Sequence, residues 1–130
     1  MGLLESNNLV ELLGQTITRG IWCSYDMINP GDTFGLMMQQ NLRGAGYHIP
    51  GFIDFPSLES HEFRFKSNGW PEAVSISMMS AYDCVISAGE IKAINKIEML
   101  DEIEEWSMIM NHYCITVATN CGELGKLIVL

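Results

Sequence analysis

Met99-Leu-Asp-Glu-Ile-Glu-Glu-Trp-Ser-Met-Ile-Met-Asn-His-Tyr-Cys-Ile-Thr-Val-Ala-Thr-Asn120 holds two periods in one run of chain. Leu100, Ile103, Trp106, Met110 and Tyr113 recur every three or four residues, which predicts a helix with one apolar stripe. Asp101, Glu102, Glu104 and Glu105 crowd its first turns, where carboxylates meet the positive end of the helix dipole. After Tyr113 the period becomes two. Cys114, Thr116 and Ala118 alternate with Ile115, Val117 and Thr119, the pattern of a strand. Asn120 and Gly122 end it. An acidic amphipathic helix therefore delivers the chain directly into a strand, and its stripe is expected to form the core.

Upstream, Asn7 to Gln15 reads as a short helix capped by Asn7 or Asn8, with Leu9, Leu12 and Leu13 as its stripe. Ile21 to Tyr25 is an apolar run without clean alternation, the mark of a strand covered on both faces in the middle of a sheet. Asp26 stands at its carboxyl end, and Asn29-Pro-Gly-Asp32 makes a turn whose Asp32 can cap the next helix. That helix carries Phe34, Met37, Met38 and Leu42 and stops at Gly44. Gly44 to Pro56 reads as a loop. Ser57 opens another helix, with Leu58, Glu62 and Phe65 on one side. Ala73 to Met79 is a strand with Val74, Ile76 and Met78 on one face and Ser75 and Ser77 on the other. Ser80 to Ile86 is a turn or two of helix, and Gly89 to Glu98 a helix carrying Ile91, Ile94 and Ile97. Leu124 to Leu130 is an apolar tail suited to a short last strand. The order of elements is that of an α/β domain.

The 130 residues suit one small domain. Hydrophobic residues at 48% and charged residues at 18% exclude a disordered chain. Sixteen acids against seven bases give a net charge of −9, opposed to a binder of nucleic-acid phosphates. Cys23, Cys84, Cys114 and Cys121 form no Cys-x-x-Cys pair and read as reduced, mostly buried thiols of a cytoplasmic protein. The apolar runs are too short to span a membrane. Met1-Gly-Leu-Leu-Glu-Ser6 fits the myristoylation pattern, which a leucine-rich segment also matches by chance. The nine methionines read as core filler.

Four blocks, in order, resemble the leucine carboxyl methyltransferases. Leu100-Asp-Glu-x-Glu with His112-Tyr-Cys-x-x-x-Ala-Thr119 is similar to the C-terminal signature of that family. Asn29-x-Gly-Asp-x-Phe-Gly35 with Asn41-Leu-Arg43 agrees, as do Ser57-Leu-Glu-Ser60 and Ser67-Asn-Gly-Trp70 with Met78-Met79 and Tyr82. The match is to the C-terminal portion only. The resemblance implies an enzyme that uses S-adenosylmethionine to esterify the C-terminal leucine carboxylate of the protein phosphatase 2A catalytic subunit. It implies one partial domain over residues 1–130, the C-terminal half of a class I, Rossmann-like methyltransferase sheet with flanking helices and a reversed final strand. On that reading Ile115 to Thr119 lies antiparallel between the Ile21 and Ala73 strands. The neighbours that a central Ile21–Tyr25 strand requires would belong to the cofactor-binding half, which this sequence lacks, so the chain alone is expected to be inactive. The tRNA wybutosine-synthesising methyltransferases share the helix-to-strand signature and are the alternative. A non-catalytic form that binds a partner is a third.

The resemblance carries few site residues. Tyr25 and Asp26 stand where the family has a strand ending in Tyr-Glu, and a substrate-facing role follows for both. Asp26 departs from Glu by one methylene and serves equally to begin a turn. The family's cofactor turn lies upstream of the matched region, and Gly44-Ala-Gly46 follows a helix rather than a strand, which is wrong for a cofactor loop. His112 reads as a helix-terminal or satisfied core histidine, since no ligand lies at metal spacing. His48 and His61 are assigned to the surface. Arg43 and Arg64 could hold a carboxylate, but the family's arginine for that task lies in the upstream part. Transfer to a carboxylate already ionised at neutral pH needs no general base.

Overall fold

The computed structural model describes residues 2–126. Its elements run α1 (Leu3–Thr16), β1 (Ile21–Met27), α2 (Thr33–Gly44), α3 (Pro50–Asp54), α4 (Leu58–Lys66), β2 (Glu72–Ser77), α5 (Met78–Cys84), α6 (Ala88–Ile97), α7 (Ile103–Met110), β3 (Tyr113–Thr119) and α8 (Gly122–Gly125). The fold is mixed α/β around an open sheet of order β1-β3-β2. β3 pairs antiparallel with both neighbours, Thr116 lying opposite Ser24 on one side and Ser75 on the other. The reversed strand in the middle is as the sequence suggested. Among the described residues β1 is an edge strand, and Ile21, Cys23 and Tyr25 are exposed on it.

Alternation gives the sheet two unequal faces. On one, Trp22, Ala118 and Ala73 form a row, followed by Ser24, Thr116 and Ser75 and then by Asp26, Cys114 and Ser77. This small, partly hydroxylic face is the closed one. The Ser75 and Thr116 hydroxyls satisfy each other at 2.8 Å, so burying them leaves no lost hydrogen bond. The other face carries Val74, Ile76, Ile115 and Val117, all half-buried.

The core lies between the closed face and helices α1 and α4. Val10, Phe65, Trp70, Ala73 and Ala118 form it, with Leu13 and Trp22 against them. Trp22 meets the Phe65 ring at 5.4 Å and the Trp70 ring edge-on at 5.8 Å, a favoured aromatic geometry. The buried Trp70 indole donates from Nε1 to the Val10 carbonyl at 3.0 Å. A Cβ at Gly14 would come within 3.0 Å of that nitrogen, so this turn of α1 must be bare for the indole to dock.

Several expectations are corrected. α1 starts earlier, with Gly2 at its cap rather than Asn7 or Asn8, and it turns Ser6, Val10 and Leu13 inward while Leu9 and Leu12 stay exposed. α7 is shorter than expected, and the stripe Leu100, Ile103, Trp106 and Met110 is not the core. Ile103 is exposed, and Trp106 is half-buried with its ring edge-on to Tyr82 at 4.6 Å. The α6 isoleucines contribute no buried residue either. A stripe declares that a helix has one apolar side, not that the chain at hand covers it. No described methionine is buried. Cys114 is buried, but Cys23 and Cys84 are exposed. The apolar tail expected as a strand begins with the turn α8, and residues 127–130 of it lie outside the described residues.

Trp70→Ala should lower stability by about 3–5 kcal/mol, as truncation of buried aromatics does, and Trp106→Ala by clearly less. Urea denaturation of the two variants decides it. Equal losses would contradict this core.

Candidate functional site

β1 ends where α3 and the start of α4 cross its tip, and the turn between them is fixed from several sides. The Ile28 amide donates to the His112 carbonyl at 3.0 Å, and the Asn29 amide to that of Pro56 at 2.8 Å. Asn29 holds φ of 61°, a left-handed conformation that asparagine tolerates better than most residues. Its side chain donates to the Asn111 carbonyl at 2.9 Å. Asp32 caps α2 by accepting the Gly35 amide at 2.7 Å. A Cβ on Gly35 would fall 2.1 Å from the Asn29 carbonyl, so only glycine fits this close approach.

Asp32 also receives His112. His112 Nε2 lies 2.8 and 2.9 Å from Oδ1 and Oδ2, and its Nδ1 lies 2.7 Å from the Met108 carbonyl. Phe34 packs on that ring at 4.6 Å. His112 is buried and fully satisfied, the structural role its position suggested. The Gly35 amide first and His112 second hold the Asp32 carboxyl below the usual carboxylate range.

Tyr25 and Asp26 meet a crevice at this tip. Because β1 is an edge strand, residues from both its faces reach the same opening. A cavity of about 240 Å3 is lined by Tyr25, Asp26, Met27, Ile49, Phe52 and Tyr113. Tyr25 and Tyr113 stack, with centroids 5.1 Å apart and planes 7° from parallel. Burial first, then the neighbouring Tyr113 and Cys114, pushes the Tyr25 phenol up. It stays a neutral donor at physiological pH. The Cys114 thiol behind it is pushed up to about 11, chiefly by burial and then by the Asp26 carboxylate. It is no nucleophile.

Asp26 divides its carboxylate. Oδ2 is buried without a hydrogen-bond partner and lies 3.7 Å from His61 Nδ1. The side chain is still 34% exposed, which leaves Oδ1 toward the opening. A second cavity of about 250 Å3 touches Asp26 from the α1 side and reaches Ser6, His48, Phe55 and Arg64. His61 is 1% exposed, not the surface residue expected, and neither ring nitrogen has a partner. Burial drives the His61 imidazole below its ordinary value, against the pull of Asp26. His48 is exposed as expected. α3 was hidden in the stretch read as loop; Pro50 at its first turn and the buried Phe52 and Phe55 were the available signals.

The residues present do not fit a nucleoside-binding turn. β1 leads into Asn29-Pro-Gly31 rather than a glycine-rich loop, and Gly44-Ala-Gly46 lies exposed at the end of α2. Among the described residues no group of three or more His, Cys, Asp or Glu could hold a metal ion. Among them, too, no helix is long and apolar enough to cross a membrane.

No family model matches the chain. Curated proteins do. It is 34% identical over 116 residues to leucine carboxyl methyltransferase 1 homolog of Arabidopsis thaliana, covering 89% of this chain and 35% of that protein. Leucine carboxyl methyltransferase 1 of Yarrowia lipolytica is 40% identical over 116 residues, 89% of this chain and 36% of its own length. Human tRNA wybutosine-synthesizing protein 4 is 30% identical over 121 residues, 93% of this chain and 18% of its own length. The chain spans about a third of the length of the leucine carboxyl methyltransferases that it matches, and the matched region is their C-terminal part.

The Asp32 clasp makes a pH prediction. A carboxyl whose folded pKa is depressed adds stability above its unfolded value, about 3.9, and that stability is lost as pH falls through the lower folded value. Asp32→Asn should therefore lower the urea midpoint at pH 7 and flatten its fall below about pH 4. Parallel midpoint curves for variant and parent would show that the clasp contributes nothing.

Proposed function

We propose that this chain, a counterpart of the C-terminal part of the leucine carboxyl methyltransferase family, forms the substrate-side wall of a carboxyl methyltransferase site. The observation that carries the reading is the convergence of Tyr25 and Asp26 on one crevice at the carboxyl tip of β1. In open α/β sheets that position, outside the carboxyl ends of strands, is where ligands bind. The three strands are then the C-terminal portion of a class I, Rossmann-like sheet. The free edge of β1 would continue into strands of the upstream part, together with the residues that hold S-adenosylmethionine. That cofactor supplies an electrophilic methyl group when bound.

The chain's own residues divide the remaining work. Tyr25 Oη–H is a group on this wall that can donate to a substrate carboxylate. Tyr113, stacked beneath its ring, fixes the direction of that donor. Asp26 Oδ1 can only accept, so it suits an N–H of the substrate backbone rather than its carboxylate, which it would repel. The substrate carboxylate is ionised at neutral pH, so positioning rather than proton transfer is the demand. The substrate in this reading is the C-terminal leucine of the protein phosphatase 2A catalytic subunit, and the setting is cytoplasmic. The higher identity to the Arabidopsis and Yarrowia leucine carboxyl methyltransferases than to the human wybutosine-synthesizing protein favours a protein over a tRNA substrate, as does the net charge of −9.

The test joins this chain to the N-terminal two-thirds of a family member and assays methyl transfer to a peptide ending in leucine. Transfer is expected. Tyr25→Phe should lower kcat/KM by about 10–100-fold, the loss of one hydrogen bond to a charged group. Asp26→Asn should raise KM. No transfer by the joined protein, or unchanged kinetics in both variants, would overturn the assignment. The 130-residue chain alone should bind S-adenosylmethionine weakly or not at all in calorimetry. A micromolar affinity, about −8 kcal/mol, would move the cofactor site into this chain.

A further inference from the structure

Asp26 and His61 meet where β1 packs against α4. Asp26 Oδ2, His61 Nδ1 and His61 Nε2 are all buried there without a hydrogen-bond partner among the described residues. A folded interior rarely leaves such groups unexplained. The pair is already close, with Nδ1 3.7 Å from Oδ2. A movement of less than about 1 Å makes this a hydrogen bond. The ring, 1% exposed, leans on Phe55 with 5.6 Å between centroids. The charges that face it come from two elements. Burial is the largest influence and, with Arg64 one turn along α4, holds the imidazole below its ordinary value, while Asp26 on β1 pulls the other way. Cys114, opposite Asp26 on β3, is a neutral thiol pushed up to about 11.

We propose that His61 is a positioning residue for Asp26: its Nδ1–H engages Oδ2 from inside the protein and leaves Oδ1 as the oxygen offered to the crevice. A neutral imidazole has a single N–H to give. The backbone at Met27 and at Phe55 competes for it with the Asp26 carboxylate. The carboxylate is the stronger acceptor, because charge-assisted hydrogen bonds are about twice as strong as neutral ones. Arg64 feels the same carboxylate but forms no ion pair with it among the described residues. Without the imidazole N–H, the carboxylate is free to turn toward Arg64 and away from the opening. The inference rests on the substrate-side role given to Asp26 and goes beyond it by naming what orients that side chain.

Two measurements test it. Long-range 15N–1H NMR of the His61 ring in the unaltered 130-residue chain, near neutral pH, should find hydrogen on Nδ1. Its absence from Nδ1 would overturn the pairing, whatever becomes of the methyltransferase reading. In the protein joined to the upstream part of a family member, His61→Phe keeps an aromatic ring and loses the N–H. It should raise KM for a peptide ending in leucine by about tenfold with kcat little changed. His61→Gln, which restores an N–H, should recover most of that loss. Added to Asp26→Ala, His61→Phe should raise KM no further, since the two act as one unit. Circular dichroism verifies that each variant folds. Unchanged KM in folded His61→Phe, no recovery in His61→Gln, or additive losses in the double variant would each overturn the proposal. If the joined protein transfers no methyl group, the methyltransferase reading fails, and the position of the ring hydrogen alone decides the pairing.

Discussion

β3 has a neighbour on each side, and every other feature is arranged to permit that. A strand in this position must satisfy its backbone on both edges, and a slip of one residue would turn every side chain to the opposite face. The register prevents the slip by size and polarity. Trp22 and Ala73 flank Ala118, where a larger residue would hold the indole away. Ser24 and Ser75 flank Thr116, and the Thr116 hydroxyl meets that of Ser75. Shifted by one, Ile115 and Val117 would lie under α1 and α4, and Thr116 would leave Ser75 unpaired. The closed face is therefore the one with small and hydroxylic residues, where the Ser75 and Thr116 hydroxyls pair while that of Ser24 is buried without a partner.

That ladder places the tip of β1, and a second set of constraints holds it there. Asn29, Asp32 and Gly35 form one device with His112 at the end of α7. The left-handed Asn29 turns the chain, Gly35 lets α2 approach its carbonyl, and Asp32 joins the cap of α2 to the imidazole. Ser57 and Ser60 cap α4 reciprocally, and Trp70 anchors α1. The residues that carry the resemblance to the leucine carboxyl methyltransferases are thus largely architectural. They hold the tip of β1, where Tyr25 and Asp26 line the cavity.

The legible part of the fold was the part with a clean period or a capping residue. The alternation from Cys114 to Thr119 marked β3. Asp32 and Ser57 marked the starts of α2 and α4. The resemblance added the antiparallel order. What stayed hidden had a physical reason in each case. His61 is polar, and nothing local announces that α4 turns it against β1. Five residues of α3 are too few for a period. The stripes of α6 and α7 are genuine, but a stripe does not name its partner, and the described residues leave Ile94, Ile97 and Ile103 exposed. Of the candidate site, the resemblance pointed to Tyr25 and Asp26 at the strand end, and both line a cavity there. Their neighbours Tyr113, His61 and Arg64 are brought to them by pairing and packing across long stretches of chain.

Among the described residues β1 has a free edge and the second sheet face is half-buried, and the leucine carboxyl methyltransferases matched are about three times the length of this chain. All of this depends on β3 lying between β1 and β2. Nuclear Overhauser contacts of the Thr116 backbone test that order directly. Cross-strand contacts from Thr116 to both Ser24 and Ser75 are the expected result. A contact between the Ser24 and Ser75 backbones themselves, with Thr116 reaching only one of them, would contradict the sheet and the crevice built on it.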